Sequence, residues 1–253
     1  MVMKRGIIIL LKENEGIEDL EYKGLKIIQN KKGFRFGIDS VLLSDFAKEI
    51  KKDSKVIDLG TGTGIISILL CGKTKLKEII GVEIQKDVYD MAKRSSKINS
   101  LENKFKVINE DLNNIRKNFP ANSIDAIVTN PPYKRINTGV TNENISKQIS
   151  RHEVMCNIEG IANISNYLLK DKASIYLVHR PNRLVDIINA LTKYKLEPKK
   201  MQFVYPTKES EPNLVLIKAT KNGRPFLKIE KPLIVYSEDG KYTKEILKIY
   251  NKE

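Results

Sequence analysis

Short apolar runs alternate with longer amphipathic stretches along most of this chain. The apolar runs are KVIDLG (55–60), EIIGVEI (78–84), FKVIN (105–109), IDAIVTN (124–130), ASIYLVH (173–179) and NLVLIKA (213–219). Most are apolar at consecutive positions, which is typical of strands covered on both faces. Helices are predicted between them at 39–51, 64–72, 86–100, about 157–170 and 181–194. This alternation predicts a doubly wound α/β fold with a mostly parallel sheet and helices on both faces.

Local signals refine the predicted boundaries. Asp39 can cap the first helix, Asn157 or Ile158 can begin the fourth, and Pro181 suits the first turn of the fifth. The last two strands, near 196–205 and 213–219, have only PTKESEP between them. That short connection predicts an antiparallel hairpin on one edge of the sheet.

The two ends of the chain fall outside the alternation. LKIIQN (25–30) reads as a short strand, PLIVYSEDGKYT (232–243) as a strand and turn, and 243–251 as a short helix. No change of composition marks a linker. We therefore expect residues 1–253 to form a single domain, with a core at 39–220, an N-terminal appendage at 1–38 and a C-terminal extension at 221–253.

The chain has 253 residues and a formal net charge of +14, from 45 Lys and Arg against 31 Asp and Glu. This length suits one large domain with a full core. The charge favours a polyanionic partner, because each phosphate that a protein neutralises releases counterions. An AT-rich coding sequence, which favours Lys, Ile and Asn, would produce the same bias, so charge alone leaves nucleic-acid binding open.

Cysteines and histidines are too few for a disulfide framework or a metal centre: the chain has Cys71, Cys156, His152 and His179. The apolar patch at 6–11 is too short for a secretory signal, and no apolar run is long enough to cross a membrane. We therefore expect no metal, no membrane association and a cytoplasmic location. Nothing in the sequence points to an obligate protein partner.

The strongest local motif is VIDLGTGTGIISILL at 56–70. An apolar strand ends near Asp58, and Gly60, Gly62 and Gly64 precede the next helix. Glycines there let the chain turn tightly and let its backbone approach a ligand. The spacing is neither that of a phosphate loop nor the G-x-G-x-x-G of dinucleotide-binding proteins, which argues against a nicotinamide-dependent oxidoreductase. A glycine-rich turn without a ligand is the simpler alternative.

An acidic residue, Glu83, follows at the end of the next strand, in GVEI. A carboxylate at that position can accept hydrogen bonds from both hydroxyls of a ribose. A solvated acid at a strand end is the alternative. Together with the glycine loop, Glu83 predicts an adenosine-type cofactor at the carboxyl ends of parallel strands.

These residues resemble the class I S-adenosylmethionine-dependent methyltransferases. DLGTGTG resembles their cofactor loop, GVEI their ribose-binding acid, and NPPY (130–133) the signature of the branch that methylates amino groups. Five further segments resemble the small bacterial adenine-N6 methyltransferases: QNKKGFRFGIDS, FRFGIDSVLLSDF, RHEVMC, YLVHRPNR and PLIVYSEDGKYT. The best-described activity in that group is on A37 of a valine tRNA. The resemblance spans about residues 17–250 and implies a Rossmann-like fold with seven strands.

The resemblance also implies a cofactor site for S-adenosylmethionine. Asp111 in NEDL would contact the adenine of the cofactor, and Asp58 would support the loop. Arg35, Phe36 and Gly37 would lie over its methionine end. An ordinary strand-end acid is the alternative for Asp111, and a packed N-terminal segment is the alternative for Arg35. The rest of the expected cofactor site is Gly60, Gly62, Gly64, Glu83 and Asn130.

The chemistry of NPPY explains why these residue types would act on an amine. An exocyclic amine is a poor nucleophile because its lone pair is delocalised, so the site must hold it in line and favour pyramidal geometry. Acceptors aimed at its N–H groups do both. Asn130 offers a side-chain carbonyl, Pro131 a backbone carbonyl, and Tyr133 a face for a flipped base, with Pro132 between them. A plain turn after a strand is the alternative.

Several amine substrates remain open at this point. Methyltransferases that act on glutamine of release factors share NPPY but usually carry a sizeable helical domain in front, and DNA-modifying relatives usually add a recognition domain. A small enzyme for adenine in tRNA needs neither, although rRNA remains an alternative. An RNA-binding protein without catalysis would also bind the cofactor, but the intact set of site residues argues against it.

Basic residues just after NPPY are the expected contacts to RNA. Lys134, Arg135, Lys147 and Arg151 cluster there, and Lys134, Arg135 and Arg151 with Tyr133 form the predicted substrate-binding set. His152 suits a structural or substrate-positioning role better than that of a base. Further basic candidates are Lys199, Lys200, Lys208, Lys221, Arg224, Lys228 and Lys231.

Overall fold

The computed structural model describes residues 2–4, 7–32, 37–133 and 158–252. The helices are α1 (Ile38–Phe46), α2 (Ile65–Lys73), α3 (Lys86–Ile98), α4 (Ile115–Asn118), α5 (Ile158–Leu168), α6 (Leu184–Lys193) and α7 (Lys244–Ile249). The strands of the main sheet are β5 (Lys55–Leu59), β6 (Glu78–Glu83), β7 (Phe105–Asn109), β8 (Ile124–Thr129), β9 (Leu169–His179), β10 (Leu196–Tyr205), β11 (Leu214–Lys221), β12 (Lys228–Ile229) and β13 (Leu233–Ile234). Two antiparallel hairpins precede them: β1 (Val2–Lys4) with β2 (Ile7–Ile9), and β3 (Glu15–Asp19) with β4 (Lys26–Asn30).

The main sheet has the order β12-β10-β11-β9-β8-β5-β6-β7, with β13 also paired to β10. Strands β9, β8, β5, β6 and β7 are parallel, and β11 is antiparallel to both β9 and β10. The predicted α/β class and antiparallel edge hairpin are therefore confirmed. Two short strands, β12 and β13, lie outside β10 and extend the predicted seven strands to nine.

Apolar side chains fill a core on each face of the sheet. One core packs α1, α2 and α7 against the sheet, with Leu42, Leu69 and Ile246 among its buried residues. The other packs α4, α5 and α6, with Ile161 and Leu191 among its buried residues. The consecutive apolar positions in the strands thus face helices on both sides, as the sequence pattern predicts.

The N-terminal hairpin β3–β4 is fastened to α3 by polar contacts. Arg94 donates to both carboxylate oxygens of Glu15, at 2.7 and 2.6 Å. The side-chain amide of Asn99 bonds the N–H of Lys26 at 2.9 Å and its carbonyl at 2.6 Å. These contacts hold the segment that leads into the site against the core.

Polar contacts also hold the C-terminal helix α7 against the core. Thr243 caps α7 by accepting from the N–H of Ile246, and the buried Lys73 ammonium donates to the carbonyl of Ile249 at 2.7 Å. The division into one core domain with two appendages stays a prediction.

The strand order reverses at β5, since β6 and β7 lie on one side of it and β8 and β9 on the other. Ligands of open α/β sheets bind at such a reversal, outside the carboxyl ends of the strands. Leu59 of β5 lies opposite Thr129 of β8 in the register, and the Thr129 hydroxyl donates to the Leu59 carbonyl at 2.8 Å. The glycine loop and NPPY therefore emerge side by side.

Candidate active site

The glycine loop links β5 to α2 through three residues with positive φ. Gly60, Gly62 and Gly64 have φ of 71°, 58° and 93°. A Cβ added to Gly60 or Gly62 would meet no atom within 4 Å, whereas one added to Gly64 would lie 2.7 Å from the ring of Phe105. The first two glycines thus border open space, where a ligand can approach the backbone, and the third is required for packing.

Asp58 is fully buried beneath this loop. Its Oδ2 accepts hydrogen bonds from the hydroxyls of Thr61 and Ser67, both at 2.7 Å. Burial raises the pKa of Asp58 to about 6, and the nearby Glu83 carboxylate adds to the rise. Its Oδ1 is buried without a hydrogen-bond partner. The Oδ2 atom of Asp58 therefore fixes the start of the glycine loop, and its Oδ1 atom lies beneath the loop without a hydrogen bond.

Glu83 ends β6 next to the loop. Its Oε2 accepts from the N–H of Gly62 at 3.1 Å, and its Oε1 accepts from the N–H of Gln85 at 2.9 Å. Burial raises the pKa of Glu83, partly offset by these two hydrogen bonds. A carboxylate has about four lone-pair sites, so these two hydrogen bonds do not exhaust its capacity to accept from a ribose diol. Open glycine backbone, Glu83 and the free Asp58 oxygen together fit an adenosine-type cofactor.

Asp111 follows β7, which is the next strand along the same edge. Its Oδ1 accepts from the N–H of Asn113 at 2.9 Å and so caps a short 3₁₀ turn at Leu112–Asn114. Its Oδ2 takes no part in that bond. Gly37 is the residue at the N-terminus of α1. Arg35 and Phe36, the other residues expected over the methionine end of the cofactor, lie outside the described residues.

The Asn130 side chain is held by residues at the start of α1. Its Nδ2 donates to Oδ2 of Asp39 at 3.1 Å and to Oγ of Ser40 at 3.2 Å. Its Oδ1 lies 2.7 Å from the hydroxyl of Tyr133, and that hydroxyl lies 2.8 Å from Oδ2 of Asp39. Pro131 is buried and Pro132 is exposed. NPPY is therefore part of a hydrogen-bonded cluster and more than a turn.

The last residue of β9 and the residue after it contact the ring of Tyr133. The imidazole of His179 meets it edge-on with centroids 5.1 Å apart, and the guanidinium of Arg180 lies 4.9 Å from its centre. Burial raises the pKa of Tyr133, and Asp39 adds to the rise, so the hydroxyl keeps its proton at neutral pH. Burial lowers the pKa of His179 to about 4, and its Nδ1 accepts from the N–H of Arg180. The imidazole is therefore neutral.

The structure places Asp58, the three glycines, Glu83, Asn130 and Tyr133 at the carboxyl ends of neighbouring strands, with Asp111 on the same edge, and their roles stay predictions. Lys134, Arg135, Arg151 and His152 lie outside the described residues. Sequence reasoning missed Ser67, Ser40, His179 and Arg180, and it treated Asp39 only as a helix cap. The helix begins at Ile38, with Gly37 as its N-cap, so Asp39 lies inside the first turn. One signal was available, because His179 ends a strand and Arg180 follows it at the same edge as NPPY.

Comparison with known proteins agrees with this geometry. A model of the family "Methyltransferase small domain" matches residues 37–154, a range that includes the glycine loop, Glu83 and NPPY. The fold, the site and this match define a class I methyltransferase that uses S-adenosylmethionine. The class and the cofactor predicted from the sequence are therefore confirmed.

The chain is similar along most of its length to tRNA1(Val) (adenine(37)-N6)-methyltransferases. The relative in Flavobacterium johnsoniae is 25% identical over 228 residues, which cover 90% of this chain and 95% of the relative. The relative in Tolumonas auensis is 24% identical, over 92% of this chain and 94% of its own.

A crystal structure of a predicted O-methyltransferase from Agrobacterium tumefaciens superposes with a TM-score of 0.68 at 17% identity, over 85% of this chain and 96% of that one. A putative RNA methyltransferase from Pyrococcus horikoshii gives a TM-score of 0.53 at 20% identity, over 75% and 87% of the two chains. These likenesses support the fold. Within the described ranges, no helix is both long and apolar enough to span a membrane.

Proposed function

We propose that this protein transfers a methyl group from S-adenosylmethionine to N6 of an adenine in tRNA, with A37 of a valine tRNA as the first candidate. The observation that carries the reaction type is the position of Asn130. Its amide follows β8 at the strand-order reversal, beside the loop that borders the cofactor space. The relatives whose names state this activity cover nearly the whole chain, which supports the choice of tRNA adenine.

The residues of NPPY would hold the amine and direct its lone pair. The Oδ1 atom of Asn130 and the backbone carbonyl of Pro131 would accept the two N–H bonds of the adenine amine. Those contacts withdraw the nitrogen from conjugation with the ring and fix it in line for attack. The methylated amine is acidic enough to lose its extra proton to water, so the reaction needs no dedicated base. The neutral His179 fits that view, because its Nδ1 is already occupied.

Tyr133 would supply the surface on which the flipped base lies. Stacking of a base on an aromatic ring contributes roughly 1–3 kcal/mol and tolerates any flat heterocycle. Arg180 and His179 fix the plane of the ring through their contacts with it. The hydroxyl also lies within hydrogen-bonding distance of Asp39 and Asn130, and a bond to either one further limits rotation of the ring.

The cofactor would be held along the adjacent strand ends. When bound, S-adenosylmethionine supplies an electrophilic methyl group on its sulfonium centre. Glu83 would bind the ribose hydroxyls, Asp111 would accept from the adenine amine, and the backbone at Gly60 and Gly62 would pass close to the ligand. Arg35, Phe36 and Gly37 remain the proposed residues at the methionine end.

Basic residues near the site would hold the RNA backbone. Lys134, Arg135 and Arg151 remain the first candidates, since they follow NPPY directly. Among the further candidates, Lys200 is paired with Glu49, and Lys221 donates to Asn122 and to backbone carbonyls. Those two stabilise the fold, which makes them poor candidates for contacts with RNA.

The test is a substrate panel with isotopically labelled S-adenosylmethionine. Purified protein is incubated separately with a valine tRNA transcript, the same transcript with guanine at position 37, rRNA, duplex DNA and a release factor. We expect label in N6-methyladenosine of the first transcript and none in the second. Label that appears only in DNA or only in glutamine would contradict the proposal.

A further inference from the structure

The carboxylate of Asp39 contacts both side chains of NPPY that carry polar groups. It lies in the first turn of α1, is 8% exposed, and accepts from Asn130 and Tyr133 through one oxygen. We propose that Asp39 is a positioning residue, which turns the Asn130 oxygen towards the target amine and keeps the Tyr133 proton away from it. This inference rests on the proposed function, in which Asn130 accepts a hydrogen bond from the target amine. Asp39 would be the residue that orients Asn130 for that bond.

The orientation of the Asn130 amide is set by the groups that face it. An amide end can donate or accept, and the two ends have nearly the same shape. A carboxylate can only accept, so the end of Asn130 that faces Asp39 must be the NH₂ group. The second hydrogen of that group goes to Oγ of Ser40. With both hydrogens used, Oδ1 is the only part of the amide that can still accept, and its recorded neighbour among the described residues is the hydroxyl of Tyr133.

The hydroxyl proton of Tyr133 has two acceptors within reach. That hydroxyl lies 2.8 Å from Oδ2 of Asp39 and 2.7 Å from Oδ1 of Asn130, but it has only one hydrogen to donate. A charged acceptor forms the stronger hydrogen bond, so Asp39 takes the proton in preference to the neutral amide. The lone pairs of Asn130 Oδ1 then stay available for the amine. Without the charge on Asp39, the tyrosine proton would compete with the substrate for the same oxygen.

The backbone around Asp39 leaves space for this carboxylate. Gly37 precedes it, and a Cβ added there would lie 2.8 Å from Oδ1 of Asp39. That same oxygen accepts from the N–H of Ser40 at 2.9 Å, which fixes the rotation of the carboxylate. Its other oxygen is thereby directed across to β8. The contact joins two segments that are distant in sequence and meet only in the folded site.

The test compares Asp39→Asn with Asp45→Asn, a matched substitution near the other end of the same helix. Asp45 pairs with Lys48 and Lys73, outside the site. We expect Asp39→Asn to lower kcat for methylation about 10- to 100-fold, the loss of a hydrogen bond to a charged group. Its Kd for S-adenosylmethionine should stay within about twofold of the wild-type value. Asp45→Asn should retain kcat, although its melting temperature should fall.

A double-mutant cycle with Tyr133→Phe separates positioning from a structural effect. That variant keeps the ring and removes the proton that competes for Asn130. The losses of Asp39→Asn and Tyr133→Phe should therefore combine to less than their product, because the combined variant has no hydroxyl to block the amide oxygen. Losses that multiply independently, or an Asp39→Asn enzyme as fast as wild type, would overturn the inference.

A second variant, Ser40→Ala, tests the inference if Asp39→Asn does not fold. This variant removes the other acceptor of the Asn130 amide and should lower kcat with an unchanged cofactor Kd; an unchanged kcat would overturn the inference. Failure of the proposed function looks different, because the wild-type protein would then methylate neither tRNA transcript in the panel.

Discussion

The carboxylate of Glu83 accepts a hydrogen bond from the backbone N–H of Gly62 at 3.1 Å, which joins the end of β6 to the loop after β5. This contact aims the remaining lone pairs of Glu83 at the space beside the glycines. We expect Glu83→Gln to weaken binding of S-adenosylmethionine by about 10- to 100-fold, since a neutral amide is a poorer acceptor for the ribose diol. Isothermal titration calorimetry measures the change directly.

The matched control for that experiment is Glu78→Gln at the start of the same strand. Glu78 pairs with Lys55 and Lys106, away from the loop. This variant should bind the cofactor like wild type. Equal affinity of Glu83→Gln and Glu78→Gln would show that Glu83 makes no use of its charge in binding.

A second prediction concerns Asn130. The Asn130→Ala variant should lower kcat by at least about 100-fold, the typical effect of removing one preorganised hydrogen-bonding group from an active site. Cofactor affinity should change little, because the glycine loop and Glu83 are untouched. Single-turnover methylation of the tRNA transcript gives the rate, and Asn118→Ala on the surface is the control. If Asn130→Ala kept a rate close to that of the wild-type protein, Asn130 would have no catalytic role.

A third prediction concerns pH and the buried Asp58. The folded protein raises the pKa of Asp58 to about 6, so it holds the proton more tightly than the unfolded chain does. The contribution of this group to stability is present at low pH and is lost as pH rises through about 6. Relative to wild type, Asp58→Asn should therefore gain about 2 kcal/mol in free energy of unfolding between about pH 4.5 and 7.5.

Urea unfolding of both proteins at the two pH values measures this difference. Comparison with the variant cancels the titration of all other carboxylates, which is common to both proteins. A difference that does not change with pH would mean that Asp58 titrates like an exposed acid. A change of opposite sign would mean that its folded-state pKa lies below the ordinary value.

A fourth prediction separates the glycines of the loop. Gly64→Ala should destabilise the fold by about 2–5 kcal/mol, because positive φ costs about 1–2 kcal/mol and the added methyl group must displace the buried Phe105 ring. Gly62→Ala carries only the backbone cost and should fold, but its methyl group should obstruct the cofactor. In thermal denaturation, Gly64→Ala should have the lower melting temperature. In cofactor titration, Gly62→Ala should have the weaker affinity. Equal effects on stability would contradict this division.

Much of the fold follows from the sequence, because consecutive apolar positions mark strands covered on both faces. β5, β8 and β10 appear at nearly their predicted bounds for this reason. The glycine loop and Glu83 were also predictable, since each is set by its place at a strand end. Such features depend on local sequence, so a local pattern can reveal them.

The contacts across the site could not be predicted in the same way. Asp39 reaches Asn130 because α1 packs with its first turn over the end of β8, and no local pattern encodes that approach. As a polar residue near a helix start, Asp39 reads equally well as a cap. Arg180 reaches Tyr133 because β9 lies next to β8, and this neighbour relation comes from the strand order.

The two short strands outside β10 have a consequence for how copies of this protein behave together. β12 and β13 pair with β10 at Lys200–Met201 and at Val204–Tyr205, along the side of β10 that faces away from β11. Without them, that side would present unpaired N–H and C=O groups, a template onto which a strand of another molecule can add. The C-terminal extension thus protects the sheet against edge-to-edge aggregation. Glu230→Pro removes the N–H that bonds the Met201 carbonyl of β10 and leaves α7 in place, so this variant should precipitate at concentrations at which the wild-type protein stays monodisperse.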